Sequence, residues 1–118
     1  MNIAISIIIG LLSFFFLFAG SIKVLGWQKT IFEIQMSFMQ KYGLNRQILF
    51  LIGLVELVAA VLIWFQSSIW GVAGALAILV TSVGALFFHF RFDRWQDGVP
   101  AMVTFALSAV VVGMQADM

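Results

Sequence analysis

The stretch Ile48 to Phe65, ILFLIGLVELVAAVLIWF, is apolar throughout except for one carboxylate at its midpoint, Glu56. An uninterrupted apolar run of about 18 residues is the mark of a transmembrane helix. A carboxylate near the middle of a bilayer costs about 2.5–3.5 kcal/mol on insertion scales. It is tolerated when it is neutral, paired, or turned toward a wet cavity. The rest of the chain therefore has to supply Glu56 with a partner or a cavity, and that requirement constrains how the other segments pack.

The composition agrees with a membrane setting. Of 118 residues, 64% are hydrophobic and 9% charged, and the mean hydropathy is +1.14. Soluble domains are about half apolar and about a quarter charged. The length predicts one transmembrane domain over 1–118, with four spans of about 20 residues and short connections; no extramembrane domain is expected. Six basic and five acidic residues make no basic patch, so nucleic acid is not an expected partner. With no cysteine, disulfides, thiol redox chemistry, iron–sulfur clusters and thiolate zinc sites are excluded. The single histidine cannot supply the paired axial imidazoles of a typical membrane b-type haem, and no metal centre is expected.

The first apolar run, Ile3 to Ile22, has no basic residue before it and is long enough to span, so it reads as a retained helix rather than a cleaved signal. Ser6, Gly10, Ser13 and Gly20 form a small-residue face that lets helix backbones approach closely in lipid. Gly26 and Trp27 mark the helix end and an interfacial aromatic. From Gln28 to Gln47 apolar and charged residues mix, which predicts a short amphipathic helix within 28–42 lying in the headgroup region or across the bundle end. Asn45 is a candidate N-cap for the second span.

The spans are predicted at about 3–25, 48–65, 69–90 and 99–114. The third carries a seam of Gly71, Ala75, Ile78, Ser82, Ala85 and His89 at spacings of four and three, and the fourth opens with Pro100 and carries Thr104 and Ser108. The polar stretch Arg91 to Gly98 between them, with Arg91, Asp93, Arg94 and Asp97, reads as a solvated loop network. The fold class is thus all-α: an integral membrane four-helix bundle with a short amphipathic interfacial helix between the first two spans. All six basic residues fall on one side of this arrangement. The positive-inside bias makes that side cytoplasmic and both termini non-cytoplasmic, and the expected location is a bacterial inner membrane.

Three ionisable side chains lie within or at the edge of spans: Lys23, Glu56 and His89. Helical side chains lean toward their own N-terminus. In the predicted topology Lys23 and His89 therefore lean into the bilayer, while Glu56 leans toward the cytoplasmic side. All three converge on one half of the bundle. Glu56 sits about 12 Å along its helix at 1.5 Å per residue, which makes a direct Lys23–Glu56 pair borderline and a water-bridged one easier, with His89 the next candidate partner. Each also has a plainer reading: Lys23 as a snorkelling anchor, His89 as an interfacial residue, and Glu56 as a purely structural partner.

The same segments carry a family resemblance. FLFAGSIKVLG (Phe16 to Gly26), IGLVELVAAVLI (Ile52 to Ile63) and GALFFHFRFD (Gly84 to Asp93), followed by Pro100, resemble the DoxX-like family of small membrane proteins. The resemblance implies a four-helix bundle. The family name comes from subunits associated with quinone-linked oxidation in archaea. Relatives include bacterial proteins linked to redox complexes and eukaryotic membrane chaperones or cargo receptors.

Three functions are compatible with such a chain. One is an accessory protein that holds a small amphipathic ligand, a quinone among them, or a partner subunit at Lys23, Glu56 and His89. The second is a subunit of a quinone-linked oxidoreductase complex, in which Glu56 or His89 handles a proton and a partner supplies the redox centre, since the chain has no cofactor set of its own. The third is a membrane-protein assembly factor with Lys23–Glu56 as an internal staple. A transporter is disfavoured, because no inverted repeat or broken helix is evident.

Overall fold

The computed structural model describes residues 3–66 and 68–116. Among them there are five α-helices and one 3₁₀ turn. Helix α1 is Ile3–Leu25, α2 is Lys29–Tyr42, α3 is Arg46–Leu62, α4 is Ile69–Phe92 and α5 is Val99–Ala116, with the 3₁₀ turn Trp95–Gly98 before α5. Helix α1 packs on α3, α3 on α4 and α4 on α5, and α1 meets α5 to close the ring, while α2 lies across one end against α1, α3 and α4. The longest dimension is 41 Å, close to the thickness of a bilayer with its headgroups, about 40–45 Å.

Local chemistry fixes the helix ends. Helix α1 stops at Gly26, whose φ of +67° is left-handed backbone that favours glycine. The last carbonyls of α1 lack intrahelical donors. Arg46 supplies them: its guanidinium donates to the carbonyl oxygens of Lys23 at 2.7 Å and Val24 at 2.8 Å, and it stacks over Phe32. Gln28 caps α2 through a bond from the Ile31 N–H, and Gly43 ends it at φ +81°. The Asn45 side chain accepts from the Ile48 N–H, so α3 begins at Arg46, two residues before the predicted span.

Helix α3 also ends earlier than predicted, at Leu62 rather than Phe65. The N–H groups of Trp64 and Phe65 bond back to the carbonyls of Val61 and Leu62, which tightens the last turn. This brings the Trp64 indole to donate to Ser13 Oγ at 2.8 Å, and Ser13 donates in turn to the Ala60 carbonyl at 2.8 Å. The predicted turn at 66–68 lies partly outside the described residues. Its Ser68 caps α4 through a bond from the Gly71 N–H.

Helices α1, α4 and the segment Trp95–Met114 are each long and apolar enough to cross a membrane. Helix α3 has 17 residues, about 25 Å at 1.5 Å per residue, and meets α2 at an angle of 119°. The molecule is a helical membrane bundle. Its core is built from Ile5, Ile9, Leu12, Ala59, Ala60, Ala75 and Ile78. The predicted small-residue faces turn inward: Ser13 and Gly20 on α1, and Gly71, Ala75 and Ser82 on α4, are buried. The outward surface carries large apolar side chains such as Phe14, Ile69, Val80 and Phe87, as expected where lipid tails rather than water are the solvent.

Candidate functional site

Gly53 lies one turn before Glu56 on the inner face of α3. A Cβ at Gly53 would come within 2.7 Å of Lys23 Cβ and 2.9 Å of the Gly20 carbonyl, so α1 and α3 touch backbone to backbone at this level. That approach decides how Glu56 is paired. Lys23 Nζ lies 3.0 Å from Glu56 Oε1, with the two side chains 16% and 7% exposed. The pair is direct rather than water-bridged, because the glycine contact removes the gap that a water would fill. The approach is oblique, and Glu56 Oε1 has no aligned hydrogen-bond donor.

His89 does not reach Glu56. Its Nδ1 lies 2.9 Å from Asp93 Oδ2, one helical turn on, and 3.1 Å from the Tyr42 hydroxyl of α2. Tyr42 donates to Asp93 Oδ2, and Lys41 pairs with Asp93 Oδ1. The Asp93 side chain is 0% exposed. It is therefore the buried hub that docks α2 onto the end of α4, and the solvated-loop reading fails for it. The reason is that α2 folds over the loop and screens it, which the order of residues within the loop does not reveal. Arg94 does behave as a solvated residue, 78% exposed, whereas Asp97, 4.0 Å from it, is 28% exposed, accepts the Arg94 backbone N–H at 3.2 Å and lines the cavity described below.

Burial pushes the Asp93 carboxyl up, but hydrogen bonds from Lys41, Tyr42 and His89, together with the Lys41 charge, outweigh it and hold the group below the usual carboxylate range. Burial, followed by the bond to Asp93 and the negative charges of Asp93 and Asp97, pushes the Tyr42 phenol well above its ordinary range, so its hydroxyl stays a donor. A depressed carboxylate stabilises the fold above its unfolded-state pKa, and that stability is lost as pH falls through the folded-state value. The docking of α2 is accordingly expected to persist at neutral and mildly acidic pH and to fail only below the ordinary carboxylate range. Asp93→Asn should release α2 at neutral pH, with its amides exchanging faster by on the order of tenfold or more for the lost charge-assisted bonds. Hydrogen exchange read by mass spectrometry checks this, and unchanged α2 exchange in the variant would rule out the hub.

Between the Lys23–Glu56 pair and the Asp93 hub lies a cavity of about 410 Å³, lined by residues that include Lys23, Glu56, His89, Gln35 and Tyr42. The three side chains singled out from the sequence thus border one space, although only two of them touch. Phe15, Phe16, Phe18 and Ile22 of α1 form an apolar wall. Thr81, Ser82 and Thr104 contribute hydroxyls from α4 and α5, and Ser82 and Thr104 bond to each other at 2.6 Å. Gln35, Tyr42 and Asp93 were missed as site residues. The spacing of His89 and Asp93 by four on a helix carried a usable signal, since residues so spaced are neighbours. Nothing in the sequence pointed Gln35 or Tyr42 of α2 at the bundle interior.

Apolar helices long enough to cross a membrane, packed around a cavity with an apolar wall and a few polar side chains at one end, define a multi-pass membrane protein. The sequence matches the model of the DoxX-like family over residues 7–112, most of the chain, and the protein belongs to that family. No match was found among curated proteins or solved structures.

Proposed function

We propose that this protein is an integral membrane accessory protein that holds a small amphipathic molecule in the cavity between Lys23–Glu56 and His89–Asp93. The observation that carries the reading is the pairing of a polar end with an apolar wall in one space of about 410 Å³. That volume falls within the range of small-molecule sites, about 300–1,000 Å³. It accommodates a headgroup and the start of a tail, and the remainder of a long tail would run out into lipid. A quinone is one molecule of this shape. In this reading α3 is the fourth crossing, α2 lies at the cytoplasmic interface, and both termini face away from the cytoplasm of a bacterial inner membrane. Six basic residues at the α2 end support that orientation. Reporter fusions at Met118 that are active only in the cytoplasm would reverse it.

A second reading, as a subunit of a quinone-linked oxidoreductase complex, is favoured by the Tyr42–His89–Asp93 chain beside the cavity. Such a chain can pass a proton while a partner protein carries the electrons.

The test is to purify the protein from membranes and identify co-purifying amphipathic molecules by mass spectrometry. The small residue Ala101 lines the cavity, so Ala101→Phe should fill it. Near-complete loss of a stoichiometric ligand is expected, with helix content retained by circular dichroism. A ligand retained in full by the folded variant would exclude the cavity as its site.

A further inference from the structure

In the half of the bundle away from α2, Ile5, Ile9 and Leu12 of α1 share one core with Val111 of α5. In the other half the same two helices face the cavity. Phe15, Phe18 and Ala19 of α1 line it, the last two three and four residues after the first and so on one helical face. Pro100, Ala101 and Thr104 of α5 line it from the other side. Helix α2 covers this end against α1, α3 and α4, but among the described residues it does not pack against α5 or the 3₁₀ turn. The seam between α1 and α5 is the one that α2 leaves uncovered.

The exposure of the lining points to the same seam. The exposed residues around the cavity are Phe15 at 44% and Phe18 at 46% on α1, and Pro100 on α5. Among the described residues, no lining residue of α2, α3 or α4 is exposed. The route from water is closed by α2, whose Lys41 and Tyr42 hold Asp93 and whose Phe38 and Tyr42 pack on His89 and Phe88. The three exposed residues are apolar, and at their level the surroundings are hydrocarbon. Asp97, in the turn that leads into α5, is the most exposed charged side chain of the lining. It marks the polar end of the seam. A molecule sliding in along the seam keeps its polar end at headgroup depth and its chain in hydrocarbon, so neither end is stranded in the wrong medium.

We infer that the cavity is entered from the bilayer, through the seam between α1 and α5 in the leaflet on the α2 side, and that its occupant is a membrane-resident amphiphile whose hydrocarbon chain lies between Phe15, Phe18 and Pro100. This rests on the reading of the cavity as an amphipath-binding site, and adds the route of entry and the part of the occupant that the seam holds.

The chain has no cysteine, so single cysteines report access. On α5, Val103 is exposed on the outer surface, Thr104 is buried at the cavity wall and Val111 is buried in the core. Ser82→Cys on the α4 wall is a second cavity reporter, close in shape to the native residue. Each variant in nanodiscs is treated with decyl methanethiosulfonate, which partitions into the bilayer, or with its charged trimethylammonium-ethyl counterpart, which stays in water. The decyl reagent should modify Thr104→Cys and Ser82→Cys within about tenfold of its rate at Val103→Cys, the allowance for a thiol whose ionisation is suppressed among apolar neighbours. Val111→Cys should react slower by on the order of a hundredfold or more, because it waits for local opening. The charged reagent should leave both cavity reporters unmodified. Ala19→Phe, which narrows the seam, should slow the decyl reagent at both reporters and leave its rate at Val103→Cys unchanged. Modification of the reporters by the charged reagent as fast as by the decyl one would overturn the inference in favour of entry from water. Resistance to both reagents would overturn it by showing a closed seam, and indifference to Ala19→Phe would overturn the placement between α1 and α5. The binding function is judged separately by the co-purification experiment: a ligand found there in a protein with a closed seam would keep the function and sink the portal, and an open seam with no ligand would do the reverse.

Discussion

Lys23→Met is expected to destabilise the bundle by about 3–5 kcal/mol, the usual cost of leaving one member of a buried ion pair without its partner. The Glu56 side chain that remains is 7% exposed, and its Oε1 has no aligned hydrogen bond to fall back on. Glu56→Gln should also destabilise strongly, because it strands an ammonium whose side chain is 16% exposed. The stem of Lys23 can carry that ammonium part of the way toward the interface, so the loss should be the smaller of the two. The double variant, Lys23→Met with Glu56→Gln, should recover much of the loss, since neither residue then carries a charge. A double-mutant cycle in detergent, with unfolding followed by tryptophan fluorescence, measures the coupling. Additive losses would show that the two residues act independently and would remove the ion pair from any account of stability.

Gly74→Ala is expected to cost about 1–3 kcal/mol, the range for forcing extra volume into a packed contact. A Cβ at this position would lie 2.7 Å from the Ile63 backbone nitrogen, 2.9 Å from Leu62 Cβ and 3.0 Å from the Ala59 carbonyl. Two of these atoms are backbone, so no side chain can swing away, and α4 must move off α3. Gly53→Ala meets the same obstacle between α1 and α3, against Lys23 Cβ, the Gly20 carbonyl and Val24 Cγ2 at 3.0 Å. It should also loosen the Lys23–Glu56 pair. Gly84 and Gly113 are the controls, for nothing lies within 4 Å of an added Cβ at either. Alanine there should be neutral or stabilising by up to about 1 kcal/mol through helix propensity. Thermal unfolding of the four variants in one detergent separates the two classes, and similar shifts at Gly74 and Gly84 would refute the close-contact explanation.

The sequence by itself determined the membrane character, the all-helical fold and the order of its helices, and the inward direction of Glu56. Hydropathy and capping chemistry are local, so Asn45, Gly26 and Gly43 set boundaries that can be read in order along the chain. It also narrowed the partner of Glu56 to Lys23 or His89, from the tilt of side chains on helices of opposite direction. Tertiary structure decided between them. Gly20 and Gly53 had to meet before Lys23 could reach Glu56 directly, and a glycine's partner lies on another helix, out of sight of local pattern. The role of Asp93 was decided in the same way. Its neighbours in sequence are solvated, and only the fold of α2 across the end of α4 brings Lys41 and Tyr42 over it and shields it. The cavity itself belongs wholly to tertiary structure: its walls come from α1, α2, α3, α4 and α5, and empty space between helices leaves no trace in the order of residues along any one of them.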